Sequence, residues 1–379
     1  MRCRSAVVAA VLALSGVTGT ACAAGSARPA SGGCAATAYV VNYYSGTVTP
    51  IDIATRTAGR PIRLPGGEKD FPADVAITPD GRTAYVTNTA DDGNSVTPIS
   101  TATNQPGRPI RASALPFLQT IAISPDGKTA YVLGGEVTVL STATNQRIRT
   151  IRLQGPGTNQ AIVLSRDGTA AYVINPSAVT PIDAAANTAG RPIPVSSGWD
   201  LALTPDGKTA YVTNWNQGTV TPISTASGQP GTPIKVGRLP GPITITPDGK
   251  TVYVANTTAR TVTPISTATN RAGQPIKAGE MQARAVLAVS PDGKTLFVLG
   301  VQAVTMIGVA TGRVDHSIPL RGALDIAFSP DGATAWITAT NAGPGTVVPV
   351  SVRTGRAGHP IRVGQQPQAI AITPCPRAR

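Results

Sequence analysis

The stretch TPDGKTAYVTN, Thr204–Asn214, decides how this chain is read. An apolar run, Leu201–Leu203, enters it, and TAYVTN leaves it rich in β-branched and aromatic residues. Between them, Pro fixes φ and Gly accepts positive φ, so Pro-Asp-Gly makes a tight turn between two antiparallel strands. The same string recurs as VAITPDGRTAYVTN (Val75–Asn88) and IAISPDGKTAYVL (Ile121–Leu133). The proline before Asp-Gly, or its equivalent, falls at Pro79, Pro125, Arg166, Pro205, Pro247, Pro291, Pro330 and Pro374, with spacings of 39 to 46 residues. After each hairpin come an SVTPIS-type segment, a turn cluster such as TATNQPG, and an RPIR-type segment. Each unit therefore reads as four strands, a to d.

A four-stranded unit repeated about every 42 residues predicts an all-β fold, a β-propeller. Seven intact turns and one split between the chain ends predict eight four-stranded blades, with seven as the alternative count. The chain begins with the second half of a unit, at Thr37, and ends with the first half, AITPC, at Cys375. The ring is therefore expected to close by pairing N- and C-terminal strands. Cys34 and Cys375 both align with the turn aspartate, so they should be neighbours, joined by a disulfide. The recurrent proline of strand c (Pro50, Pro98, Pro181, Pro222, Pro264, Pro349) cannot donate to a ladder and is expected where pairing with strand d breaks.

The N-terminus reads as residues 1–23 of export signal: Arg2 and Arg4, an apolar run from Ala6 to Leu14, then small residues. Ala21-Cys22-Ala23 resembles a cleavage site, and Cys22 could equally be a lipidation site followed by a tether, 24–33. The propeller domain is expected over 34–375, with a tail at 376–379. The chain is predicted to be secreted or lipid-anchored outside the cytoplasmic membrane, and monomeric.

The strings YVTN at Tyr85–Asn88 and Tyr211–Asn214, within TPDGKTAYVTN, resemble the YVTN-type β-propeller repeat proteins over roughly Thr37 to Pro374. That resemblance implies the fold but no single activity, since such propellers range from surface-layer and binding proteins to lactonase-like enzymes.

Most repeated residues read as structure. Tyr39, Tyr85, Tyr131, Tyr172, Tyr211, Tyr253, Phe297 and Trp336 share one column of strand b and should pack between blades. Both histidines, His316 and His359, fall on strand d, away from the axis. That placement argues against a His-ligated metal, a haem site, a Ser-His-Asp triad or a His general base. The remaining loop aromatics, Tyr43, Tyr44, Phe71, Phe117, Trp199 and Trp215, all lie in d-to-a or b-to-c loops, which share one face of a propeller. Nine of the 19 acids lie there too, against five bases. The net charge of +13 is thus a property of the rim and tails.

This acid-aromatic face is the expected ligand site, with Asp200 and Asp325 at strand starts. Asp70, Asp74, Asp91, Asp92 and Asn94 offer oxygen ligands suited to Ca²⁺, although no cofactor is required. The leading expectation is a non-catalytic binding or scaffold propeller at the cell envelope, contacting a glycan, peptide or protein. The alternatives are a carboxylate- and divalent-metal-dependent hydrolase or lyase of lactonase type, and polyanion binding through the basic rim. Specific nucleic-acid recognition is not expected, because aromatics and bases separate.

Overall fold

The computed structural model describes residues 36–89, 94–112, 120–154, 158–283, 285–340 and 344–375. It forms eight antiparallel sheets arranged as a propeller of four-stranded blades. Blades 2 to 8 each run a-b-c-d in chain order from the centre outward. Blade 2 uses Pro72–Ile77, Thr83–Asn88 and Ser95–Ser100; blade 5 uses Gly198–Leu203, Thr209–Asn214 and Thr219–Ser224.

Blade 1 is built from both ends of the chain. Thr37–Asn42 and Thr47–Asp52 supply strands b and c, and Pro367–Ile372 supplies strand a. The register pairs Ala38 with Ile372 and Val40 with Ile370. Beyond the ladder, Thr37 N donates to Thr373 Oγ1 and Thr373 N to Thr37 O, both at 2.9 Å.

The hairpin turn is the same device throughout. In blade 2, Gly81 at φ +73° donates to Thr78 O at 2.7 Å, while Asp80 Oδ1 accepts from Thr78 Oγ1 (2.6 Å) and Arg82 N (3.0 Å). Partial burial, the largest single effect, pushes the Asp80 carboxyl up, but these bonds and the Arg82 charge together hold it below its ordinary range. A Cβ on the turn glycine would touch the turn proline of the preceding blade, as Gly127 does with Pro79 and Gly168 with Pro125. Gly81 meets Pro374 in the same way, so the C-terminal proline occupies the seat that completes the ring. Gly207 has nothing within 4 Å, since the residue at that place in blade 4 is Arg166.

The core lies between blades. Tyr39, Val41 and Val48 of blade 1 pack with Val75, Ala84 and Val86 of blade 2, and the pattern repeats around the ring. The strand-b aromatics are buried here, and their hydroxyls reach the next blade's c-to-d turn. Tyr39, Tyr85 and Tyr211 donate to Asn104, Asn145 and Asn270 Oδ1 at 2.6 to 2.7 Å. Those asparagines sit at φ between +52° and +57°, which asparagine tolerates better than most residues. Trp336 of blade 8 faces a turn carrying Arg56 in that conformation, and its indole N–H finds no partner.

The strand-c proline has a matching partner. In each of six blades it is followed by a Gly-x-Pro in strand d, such as Pro98 with Gly107-Arg108-Pro109. The glycine donates to the proline carbonyl at 2.7 to 2.8 Å, and a Cβ there would press on the proline ring at 3.0 to 3.3 Å. Strand d breaks at this point into short pieces, as at Gln105–Pro106 and Ile110–Arg111. Blades 3 and 7 carry Val139 and Met306 instead, and their outer strands, Gln146–Ile151 and Arg313–Ile318, run unbroken. Both contain a β-bulge, at Ile148 and Asp315. Proline breaks and bulges both spoil an open edge as a template for another strand.

Candidate functional site

The b-to-c and d-to-a connections emerge at one end of every blade, so the aromatic loop residues do share a face. The structure gathers them into two separate groups. Tyr43 lies 5.1 Å from Tyr44, edge to face, and 5.3 Å from Phe71, at the junction of blades 1 and 2. Tyr44 is 55% exposed, and Phe71 holds an unusual φ of +40° while its carbonyl accepts Thr89 N–H at 3.2 Å. Trp199 and Trp215 stack at 4.5 Å with 25° between rings, in blade 5. Phe117 lies outside the described residues.

The loops carrying the tryptophans are braced to each other. Trp215 N donates to Ser197 O (2.9 Å), Asn216 Nδ2 to Ser197 Oγ (3.1 Å) and Gln217 Nε2 to Ser196 Oγ (2.9 Å). Both rings are half-buried, so the pair is a fixed apolar platform with an exposed polar border.

Asp74, Asp200 and Asp325 act as braces between blades. Each Oδ1 accepts the N–H of the following residue at 2.8 Å. Each Oδ2 crosses to strand a of the next blade, accepting from Ile121 N (3.1 Å), Ile243 N (3.2 Å) and Ile370 N (2.9 Å). Asp74 also receives Thr120 Oγ1 at 2.6 Å. Burial pushes the Asp74 carboxyl up to about 6 and that of Asp325 to about 7, against these hydrogen bonds; the negative charge of Asp74 adds to the rise at Asp325. Asp325 ties blade 8 to the closing strand of blade 1.

Of the oxygen ligands expected for Ca²⁺, Asp70 is buried and its Oδ2 accepts Gly66 N at 2.7 Å, closing the short 3₁₀ turn Gly67–Lys69. Asp74 is committed to backbone and Thr120. Asn94 is buried at the start of strand c. Asp91 and Asp92 lie outside the described residues. Among the described residues, no three His, Cys, Asp or Glu side chains converge on a point. The loop face carries one base more than the five expected: Arg152, from beyond strand d, pairs with Glu136 at 3.1 Å. Arg260, one of those five, approaches Glu280 at 4.0 Å. His316 and His359 are exposed on the outer rim.

One feature escaped sequence reasoning. Asn42, Asn88, Asn214 and Asn256 end strand b, and each Nδ2 donates to two hydroxyls of strand c; for Asn214 these are Thr219 (3.0 Å) and Thr221 (2.7 Å). The signal was the final Asn of YVTN with hydroxyl residues five and seven positions on, or seven and nine in blade 2.

No protein-family model matches the chain, and no curated protein matches it. Solved structures do. It is similar to dihydro-heme d1 dehydrogenase NirN, in complex with DHE, at 15% identity and a TM-score of 0.73, over 88% of this chain and 74% of that one. A hydrazine synthase of Kuenenia stuttgartiensis aligns at 23% identity and 0.56, over 72% and 92%. A functionally unknown protein from Desulfotomaculum acetoxidans aligns at 17% and 0.57, over 89% and 99%. The fold is a β-propeller. At these identities the likeness extends to the fold alone, and the YVTN-type family label stays a resemblance in the repeat strings.

Proposed function

We propose that this propeller is a non-catalytic binding module of the cell envelope, contacting a glycan, peptide or protein through its aromatic loop face. The observation that supports this reading is the braced Trp199–Trp215 stack on the same face as Tyr44, whose ring is exposed. Stacked, half-buried indoles on braced loops bind apolar faces at small entropic cost. Isothermal titration against envelope glycans and peptides tests it. Binding should weaken about tenfold or more in Trp215→Ala, with the melting temperature close to wild type. Unchanged affinity in both Trp215→Ala and Tyr44→Ala would remove the face from consideration.

Export and a Cys34–Cys375 closure belong to the same reading. Cys375 follows the closing strand of blade 1, and Cys34 lies outside the described residues. Cys34 stands three positions before Thr37 and Cys375 two after Thr373, and the Thr37–Thr373 pairing supports that reading. A bond there encloses about 340 residues, for which chain entropy gives roughly 5–6 kcal/mol. A non-reducing peptide map of protein exported by a bacterial host should contain the Cys34–Cys375 cross-link, and its N-terminal peptide should begin near Cys22 to Ala24. A cross-link to Cys3 or Cys22 would refute both.

A further inference from the structure

Each blade repeats a stretch of thirteen residues from the end of strand c through strand d. In blades 8, 1, 2 and 3 these are residues 351–363, 52–64, 100–112 and 141–153, and together they carry eleven arginines, no lysine and one acid, Asp52. The matching stretches of blades 4 to 7, residues 183–195, 224–236, 266–278 and 308–320, carry five bases and two acids, Asp183 and Asp315. The basic excess of the rim is thus concentrated on four consecutive blades of the eight.

All eleven arginines are exposed. Among the described residues, Arg152 alone of them pairs with an acid, Glu136 on the loop face, and Arg149 Nη1 donates to the Ala186 carbonyl at 3.3 Å. The outer strands lie against one another from blade to blade: Thr57–Ala58 by Ile361–Arg362 of blade 8, Ile62–Arg63 by Gln105–Pro106 of blade 2, and Ile110–Arg111 by Gln146–Ile151 of blade 3. The charges therefore form one arc. A Cβ on Gly358 of blade 8 would lie 3.4 Å from Arg56 Nη1, which places that guanidinium across the seam between blades 8 and 1. The charge is not needed to guard the sheet edges. Prolines interrupt the outer strands of blades 4, 5 and 6 as they do those of blades 8, 1 and 2, with far fewer bases. Arg56 also holds the left-handed turn position, φ +57°, at which blades 2, 3 and 4 carry asparagine, and no turn chemistry calls for arginine there.

We propose that this arc binds an acidic polysaccharide, a flexible chain of uronic-acid units laid along the outer strands of blades 8, 1, 2 and 3; the surface is separate from the aromatic loop face. Guanidinium forks take carboxylates bidentately, which lysine cannot do. The arc covers half of the ring and is convex, so a flat lipid surface meets only part of it, whereas a flexible chain follows the curve. Duplex DNA is stiff, and bending it round so tight an arc is costly. The four stretches contain no Phe, Tyr or Trp on which single-stranded bases would stack. Between the arginines, Thr103, Gln105, Thr144 and Gln146 are exposed. Their acceptor oxygens match sugar hydroxyl donors, which a polyphosphate chain lacks.

The test is titration of the full exported protein with galacturonic-acid oligomers of graded length, beside neutral galactose oligomers, polyphosphate, single-stranded DNA and phosphatidylglycerol vesicles. Affinity should rise with uronate length and fall steeply with added salt. Arg60→Gln, Arg63→Gln, Arg108→Gln and Arg111→Gln together should weaken binding about tenfold or more, each exposed ion pair adding little alone. The same loss of charge on the other half of the rim, by Arg191→Gln, Lys235→Gln, Lys277→Gln and Arg313→Gln, should change affinity by less than about threefold. Arg356→Gln with Arg362→Gln is a second arc variant, expected to weaken binding by about threefold or more, which keeps the test sound if the first fails to fold. Trp215→Ala should bind uronate as wild type does, whatever it does to a ligand of the loop face. Equal losses from both halves of the rim would mark a response to net charge and overturn the arc. Uronate binding lost in Trp215→Ala but kept in the arc variants would overturn it too. Tighter binding of polyphosphate, DNA or vesicles than of uronate, or no uronate binding at low salt, would overturn the polysaccharide assignment.

Discussion

Ending the chain after Gly364 should abolish cooperative unfolding. The missing segment contains strand a of blade 1, and with it the register from Ala38↔Ile372 to Asn42↔Pro367. Its removal uncovers Val40 and Trp336, which pack with Ile370 in the core between blades 8 and 1. It strips Asp325 Oδ2 of the Ile370 N–H, leaving a buried carboxylate short of a donor. It also empties the proline seat against Gly81. Burial of Ile370 alone is worth about 1.5–3 kcal/mol, and each orphaned buried polar group costs about 1–3 more. The sum is on the order of the whole stability of a typical domain. Thermal unfolding by circular dichroism should show a broad, early transition, and gel filtration should show association. A peptide spanning Gln365–Cys375, added in trans, should restore a sharp transition. A truncated chain that melts sharply within a few degrees of wild type would show that the ring does not depend on its split blade.

Stability should fall as pH rises from about 4 to about 7. Asp325 and Asp74 have folded-state values raised to about 7 and about 6 from 3.8, so between those limits the native protein holds more protons than the unfolded chain. Stability then decreases with rising pH and levels off above about 7. The two carboxyls together amount to several kcal/mol at most, on the order of one and a third per pKa unit. The turn aspartates act oppositely. Asp126, Asp206 and Asp248 are held below their ordinary value, chiefly by the hydroxyl bonds of Ser124, Thr204 and Thr246. Their contribution is present above 3.8 and is lost as pH falls through the lowered values. The two limbs place maximal stability near pH 4–5. Urea unfolding at intervals from pH 3 to 8 measures the profile, and Asp325→Ala should flatten the upper limb. That variant should also be less stable at pH 4.5 by about 2–4 kcal/mol, because Ile326 and Ile370 lose their acceptor. A profile that rises steadily from pH 4 to 7 would show that the backbone donors outweigh burial at these carboxyls.

How much was legible in the sequence follows the range of each interaction. The hairpin turn was readable because Thr78, Asp80, Gly81 and Arg82 are neighbours in the chain. The strand-c proline was read correctly as a break in pairing, although the Gly-x-Pro that answers it went unremarked. The aromatics Tyr43, Tyr44, Phe71, Trp199 and Trp215 could be assigned to one set of loops from the strand order, but their division into two groups depends on which blades carry them. Asp74, expected among the Ca²⁺ ligands, and Asp325, expected on the ligand face, have their carboxyls on backbone N–H groups of the next blade. Their partners, Ile121 and Ile370, lie 47 and 45 residues further along the chain. The acidity of the face was overstated because Arg152 was counted with the rim and in fact reaches Glu136.

By itself, the sequence determined the repeat, the blade count and the split blade at which the ring closes. All three follow from local turn chemistry and from a periodicity that survives single exceptions such as Arg166. The tertiary structure decided what each blade does with the groups its repeat leaves over. Asn42, Asn88, Asn214 and Asn256 occupy the same place in the same string, yet of these only Asn256 has its Oδ1 met, by the Gly237 N–H across the blade gap, while the other three are left without a partner. That difference is a hydrogen bond between segments 19 residues apart, and it exists only once the blades are packed.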